Sequence, residues 1–241
     1  MLTARQTKLL EIIINEFMET AEAVGSVNVS DKYDLEVSPA TIRNEMAYLT
    51  ELGLLEKSHI SAGRKPTAQA LRWFLQQVLE DLEELDALNQ VSVRESLFKV
   101  RFNVDTLLTE SVRSLADLTN NAAIAMLSGR RYMAGVSQMV GLPEYSDEEK
   151  LRRFLDLIED YRELGKLFGR YDASNSVRVL IGEETGFKQL EDTAIAYAAI
   201  KLHGNEKGYM AVIGPNRMDY RRVIPAINYI VGSIQNAVAG W

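Results

Sequence analysis

The chain has 241 residues, 46% of them apolar and 25% charged, with a net charge of −7; that is the composition of a soluble globular protein with material for two domains, not of a disordered or collagen-like chain. It has no cysteine and only two histidines, His59 and His203, which removes disulfides, thiolate chemistry and an imidazole-rich metal centre, so no metal and no cofactor are expected. No basic-then-apolar leader opens the chain and no run approaches about 18 apolar residues, so a cytoplasmic location is expected.

The first helix is signalled by Thr3 as N-cap, with Leu9, Leu10, Ile13, Phe17 and Met18 at spacings of three and four. Gly25 breaks that pattern, Ser26 is placed to cap a second short helix running to about Tyr33, and Ser38-Pro39 opens a third. At about 100° per residue, Ile42, Met46 and Leu49 of the third helix share one side, with Glu45 and Leu52 at its border. Ala40, Asn44, Ala47, Tyr48 and Glu51 then point away from the core. Gly53 ends the helix, Leu54 to Ile60 reads as a strand, Ser61-Ala62-Gly63 as a turn, and Arg64-Lys65 as a second strand. Three helices followed by a hairpin make a winged helix-turn-helix over residues 1–66.

From Thr67 a long helix carries Leu71, Leu75, Val78, Leu82 and Leu85 at alternating spacings of four and three. That seam suits either contact with a second copy or packing within its own domain. Asn89 to Phe102 reads as a polar linker or hinge, so that residues 67–103 form a connecting helix and linker. A further amphipathic helix begins with Val104, Leu107, Leu108, Val112 and Leu115. Beyond Asn121 strands are expected at Ala122–Leu127, Tyr132–Val136, Val177–Gly182, Thr193–Leu202 and Gly208–Ile213, with a helix at Glu148–Phe168 and a last one from about Met218. Pro225 lies inside that last pattern, so the helix either starts later or kinks there. The whole is an α+β multidomain protein whose second domain, residues 104–241, has the layout of an α/β sensor.

A net charge of −7 counts against nucleic-acid binding unless the basic residues are gathered in one place. They are. Acidic residues concentrate on the first helix at Glu11, Glu16, Glu19 and Glu22, whereas Arg43 lies on the third helix and Lys57, His59, Arg64 and Lys65 surround the hairpin. A helix with small residues, an amide and a phenol on its outer side fits a major groove, where each base pair shows its own donor and acceptor pattern. Ser38, Thr41, Arg43, Asn44 and Tyr48 are therefore candidate DNA contacts. Arg43 suits guanine or a phosphate, and Asn44 suits adenine or the backbone. Lys57, His59, Ser61, Arg64 and Lys65 are candidates for phosphates or the minor groove. A plain polar helix surface and a solvated basic turn are the alternatives. One such helix reads only a few base pairs, so a dimer on an inverted repeat is expected.

SPATIRNEM at residues 38–46 and SAGRKPT at 61–67 resemble the winged-helix signatures of the HrcA family of bacterial heat-inducible transcription repressors. GLPEYSD at 141–147, VRVLIGEE at 177–184 and GPNRMDY at 214–220 are similar to later blocks of that family. The resemblance implies a homodimeric repressor that binds an inverted-repeat operator of chaperone operons, a GAF-like second domain, and control by a GroEL-type chaperonin. It also implies DNA contacts on residues 38–48 and 59–64. Family members usually carry about a hundred more residues, including a dimerisation segment inserted in the GAF-like domain. With that centre shortened, the leucine seam from Thr67 is the substitute candidate for the dimer surface.

No glycine-rich phosphate loop and no G-x-S-x-G elbow occurs, and no catalytic residue is assigned. Arg217 and Asp219 read either as a functional pair or as a turn with Asp219 at a helix start. The other readings of the whole chain are a ligand-responsive winged-helix regulator, its second domain binding a metabolite, and a protein-binding adaptor.

Overall fold

The computed structural model describes residues 2–58, 63–170, 176–187, 191–201 and 207–238; His59, Ser61, Leu202 and His203 lie outside these. The chain divides into two compact units, Met1–Asp81 and Leu82–Trp241.

In the first unit, helix α1 (Ala4–Thr20) opens with a capping box. The Thr3 hydroxyl accepts from the Gln6 amide at 3.3 Å and the Gln6 side chain accepts from the Thr3 amide at 3.0 Å, so two otherwise orphaned donors are satisfied reciprocally. Helix α2 (Ser26–Lys32) takes Gly25, not Ser26, as its N-cap, and no side chain caps it. Helix α3 (Pro39–Glu51) starts at Ser38, whose hydroxyl accepts from the Thr41 amide at 3.2 Å. Strands β1 (Leu55–Lys57) and β2 (Arg64–Pro66) pair antiparallel, with Leu55 opposite Pro66 and Lys57 opposite Arg64. Of the strand expected at Leu54–Ile60, Leu55–Lys57 is found, and His59 and Ile60 lie outside the described residues. Helix α4 (Ala68–Glu80) begins at Thr67, which caps it and donates to the Gly53 carbonyl at 2.7 Å.

Helix α4 stops at Glu80, so Leu82 and Leu85 do not lie on it and the expected five-residue seam is not one continuous stripe. Leu71, Leu75 and Val78 are each at most 2% exposed, and α4 packs on α1 and β2. Their leucine spacing records core packing of the first unit. Two ion pairs tie the three N-terminal helices. Arg5 on α1 reaches the largely buried Glu45 on α3 at 2.6–2.7 Å, and Glu16 on α1 accepts from both Lys32 and Tyr33 at the end of α2.

In the second unit, the segment read as a linker is helix α5 (Ala87–Val100), capped by Asp86, whose carboxylate accepts from the Asn89 amide at 3.0 Å. Only Val93 and Leu97 of α5 are buried, so little of an amphipathic pattern marks it. It packs on α6 (Val104–Thr119) and α9 (Tyr220–Val238). Helix α9 starts two residues later than Met218 and runs through Pro225. Strands β3 (Ala122–Leu127) and β4 (Arg130–Ala134) form a hairpin with Leu127 opposite Arg130. Its turn residues Ser128 and Gly129 have φ of 46° and 80°, the left-handed pair that matches strand twist in two-residue hairpins. The expected Tyr132–Val136 strand therefore begins two residues earlier.

The expected helix at Glu148–Phe168 is two, α7 (Glu148–Glu159) and α8 (Tyr161–Arg170). Asp160 divides them by accepting from the amides of Arg162 and Glu163, both at 3.0 Å. Strands β5 (Arg178–Ile181), β6 (Thr193–Lys201) and β7 (Lys207–Pro215) complete a five-stranded antiparallel sheet of order β4-β3-β7-β6-β5. Ala122, Ile124, Met126, Ile195, Tyr197, Ala211 and Ile213 gather with Phe154, Leu157, Ile158, Leu164, Leu167 and Phe168 of α7 and α8. The alternate residues of the same strands point the other way, toward the layer of α6 and α9. Both faces are covered, which is why β3 is buried at all six positions; a helix-flanked antiparallel sheet of this kind is the expected GAF-like α/β layout. Among the described residues no helix is long and apolar enough to cross a membrane.

Two predictions come from this packing. A Cβ on Gly214 would lie 2.0 Å from the side-chain oxygen of buried Asn121, so Gly214→Ala is expected to lower stability by about 1–3 kcal/mol in denaturant titrations, as overpacking does; an unchanged midpoint would show that Asn121 yields freely. Lys32 first, and Tyr33 next, hold the Glu16 carboxyl below its ordinary value of 4.5. Their stabilisation is complete above that value and is lost as pH falls through the lowered one. The thermal midpoint of the parent should therefore fall more steeply with acid below about pH 4.5 than that of Glu16→Gln, measured by circular dichroism; equal slopes would remove the tie.

Candidate nucleic-acid interface

Helix α3 has two unlike sides. Ile42, Met46 and Leu49 are at most 3% exposed, and burying each contributes about 1.5–3 kcal/mol to holding the helix in place. Glu45, the one carboxylate on that side, is neutralised by Arg5, so its charge is spent inside the unit. Pro39, Ala40, Arg43, Asn44, Ala47, Tyr48 and Glu51 are exposed, Tyr48 at 42%. Thr41 is half-buried, with its hydroxyl 3.1 Å from that of Ser38. Ser38, Arg43, Asn44 and Tyr48 thus stand on one open surface with no acidic residue in the first turn of the helix, where the helix dipole favours an anion. Ala40 and Ala47 keep that surface shallow enough for the backbone to approach a base edge.

The wing is built on backbone pairing. Val24, in the segment joining α1 to α2, makes an isolated antiparallel bridge to Arg64 with two hydrogen bonds of 2.9 Å. Gly63 passes so close to Ala23 that a Cβ would sit 2.8 Å from its carbonyl group. Lys57 is exposed on β1. Arg64 and Lys65 are half-buried and turned to the protein. The Arg64 guanidinium donates to the Thr50 hydroxyl at the end of α3 and to the Gly63 carbonyl, both at 3.3 Å. Lys65 places its ammonium 5.9 Å above the Phe17 ring of α1. Arg64 therefore links wing to helix, and Arg43 and Lys57 are the more open cations of the surface. His59 and Ser61 lie outside the described residues.

Arg5, Thr50 and Ala23 were not singled out from sequence. The buried Glu45 on an otherwise apolar side was the one available signal, since such a carboxylate demands a cation.

In the second unit the three later sequence blocks meet. Arg217 pairs with Glu144 through contacts of 2.6 and 3.2 Å, both side chains largely buried. The Asn216 side chain accepts from the Gly182 amide at 3.2 Å, and Tyr145, its hydroxyl pushed well above the usual range by burial, contacts Thr193 at 3.0 Å. Asp219 is no partner of Arg217: its carboxylate accepts from the Arg221 amide at 3.1 Å at the start of α9. Among the described residues no group of three or more His, Asp and Glu side chains could hold a metal.

Comparison with known proteins gives the same picture. The HrcA winged helix-turn-helix transcription repressor DNA-binding profile matches residues 1–80, and the HrcA protein C-terminal domain profile matches residues 50–224. The chain is similar to heat-inducible transcription repressors HrcA of Symbiobacterium thermophilum (25% identical, 97% of this chain and 98% of the relative), Bacillus pumilus (24%, 99% and 98%) and Clostridium acetobutylicum (26%, 96% and 96%). These alignments run over 333–341 residues against 241 here, so the relatives hold segments that this chain lacks. A crystal structure of a hypothetical protein superposes with a TM-score of 0.80 over 100% of this chain and 99% of its own, at 19% identity, and so shares the fold. With one unit a winged helix whose third helix has an open outer side free of acid in its first turn, and the other a helix-flanked antiparallel sheet, the chain belongs to the HrcA family of heat-inducible transcription repressors.

Proposed function

We propose that the protein represses heat-shock genes by laying the exposed side of α3 into the major groove of an inverted-repeat operator, two chains binding together from the cytoplasm. The observation that carries this reading is the surface of Ser38, Arg43, Asn44 and Tyr48 on a helix anchored by Ile42, Met46 and Leu49. Arg43 supplies a bidentate donor for guanine, Asn44 a donor and an acceptor for adenine, Tyr48 adds a phenol at the far end, and Ser38 with Thr41 marks the helix start for a phosphate. Lys57 faces the flanking backbone, and His59 and Ser61 are assigned to the same contacts from the sequence. Arg64 acts mainly by fixing the wing against Thr50, with Lys65 beside it. A GroEL-type chaperonin as the partner that restores DNA binding after heat is part of the same proposal.

With about six to ten phosphate contacts per dimer, affinity should fall by about 10³–10⁵ between 50 and 200 mM salt. Arg43→Ala is expected to cost about 1–3 kcal/mol of operator affinity in fluorescence anisotropy and to relax discrimination at one base pair, while leaving thermal stability within about 0.5 kcal/mol because the residue is exposed. Genome-wide footprinting should place the protein at inverted repeats beside chaperone genes. Peaks confined to unrelated genes, released by a metabolite, would transfer the assignment to a ligand-responsive regulator.

A further inference from the structure

We infer that the outer face of α5 is the surface through which two copies associate, pairing side by side in the same direction. The inference deepens the dimeric-repressor reading and rests on it for the need of a partner. The surface itself stands on the residues. At about 100° per residue, Val93 and Leu97 define the inner side of α5. On the opposite side Leu88, Val91 and Phe98 are exposed at 84%, 43% and 60%, and Phe102, just past the end of the helix, at 74%, in one line. Four large apolar side chains in one exposed line are more than scattered surface hydrophobics account for. The Arg101 guanidinium lies 3.5 Å from the Phe98 ring centroid and 4.1 Å from that of Phe102, holding both rings in place. Beside them, Gly232, Ser233 and Ala237 of α9 leave an open cleft of about 620 Å³ along α5, room for an aromatic ring from a second chain.

Charge selects a second copy and its direction. Arg94 and Glu95 flank the centre of the stripe on opposite sides, both exposed, and among the described residues neither has an ion-pair partner. In a two-fold pairing of parallel helices each Glu95 comes beside the partner's Arg94, twice, while Val91 and Phe98 meet their own counterparts along the seam. An antiparallel pairing would instead bring Arg94 and Arg101 of one chain to the same rim as those of the other. The parallel sense also sets the two N-terminal ends of α5 side by side, so both chains enter the pair from the same side. The leucines of α4 do not compete for this role, being buried in the first unit.

The test is sedimentation equilibrium on the full chain, with operator titrations alongside. The parent is expected to dimerise. Phe98→Glu should raise the dimer dissociation constant by about a hundredfold or more, as loss of a central aromatic anchor does, and weaken binding to the inverted repeat while leaving binding to a single half-site unchanged. Arg94→Glu and Glu95→Arg should each weaken dimerisation about tenfold, and the double variant should restore it. A parent dimer undisturbed by Phe98→Glu, or a double variant no better than either single one, overturns the α5 surface and leaves the repressor reading standing. A parent that fills both half-sites as independent monomers overturns the dimeric reading along with it.

Discussion

The recognition surface exists because α3 is held on one side by three apolar residues and has nothing to bury on the other. Ile42, Met46 and Leu49 recur at intervals of four and three, so they stack on a single stripe about 100° wide. Everything the helix offers outward follows from that anchoring. If the stripe were wider, Tyr48 would be drawn into the core; if it were narrower, a short helix such as this would fray. The Arg5–Glu45 pair works at the same boundary: it neutralises the carboxylate at the edge of the buried stripe and fastens α1 across the helix.

The winged helix was legible because each of its features has a local signature. Thr3 and Ser38 cap, Pro39 starts, Gly53 stops, and the apolar spacing says which side is buried. The exposed residues of α3 were found by the same geometry. Where Arg64 and Lys65 point was not legible, because strand residues next to a tight turn are directed by tertiary partners, here Thr50 and Phe17. In the seam from Thr67 a repeat of four and three does not distinguish packing within a unit from packing between chains; Leu71, Leu75 and Val78 proved to be the former, and the helix ended before Leu82. The α5 helix was passed over for the converse reason: its apolar residues lie on both sides, so no single stripe emerges. Two signals were present and unread, Ser128-Gly129 as a two-residue turn and Asp160 followed by Glu163 as a helix start.

The second unit shows a different economy. Its sheet is buried on both faces, and at one end of it polar groups are paired, Glu144 with Arg217 and Tyr145 with Thr193. Three sequence blocks far apart along the chain thereby close one end of the sheet. An internal ion pair that loses one member leaves an uncompensated buried charge, which penalises change at either position.

The pairing of Val24 with Arg64 is made by main-chain atoms, and Gly63 brings no side chain to the crossing. The angle at which the wing leaves the body is thus insulated from exchange of the residues around it. On the proposed reading, in which α3 enters the operator, its outward positions can change one base contact at a time without any redesign of the scaffold that presents them.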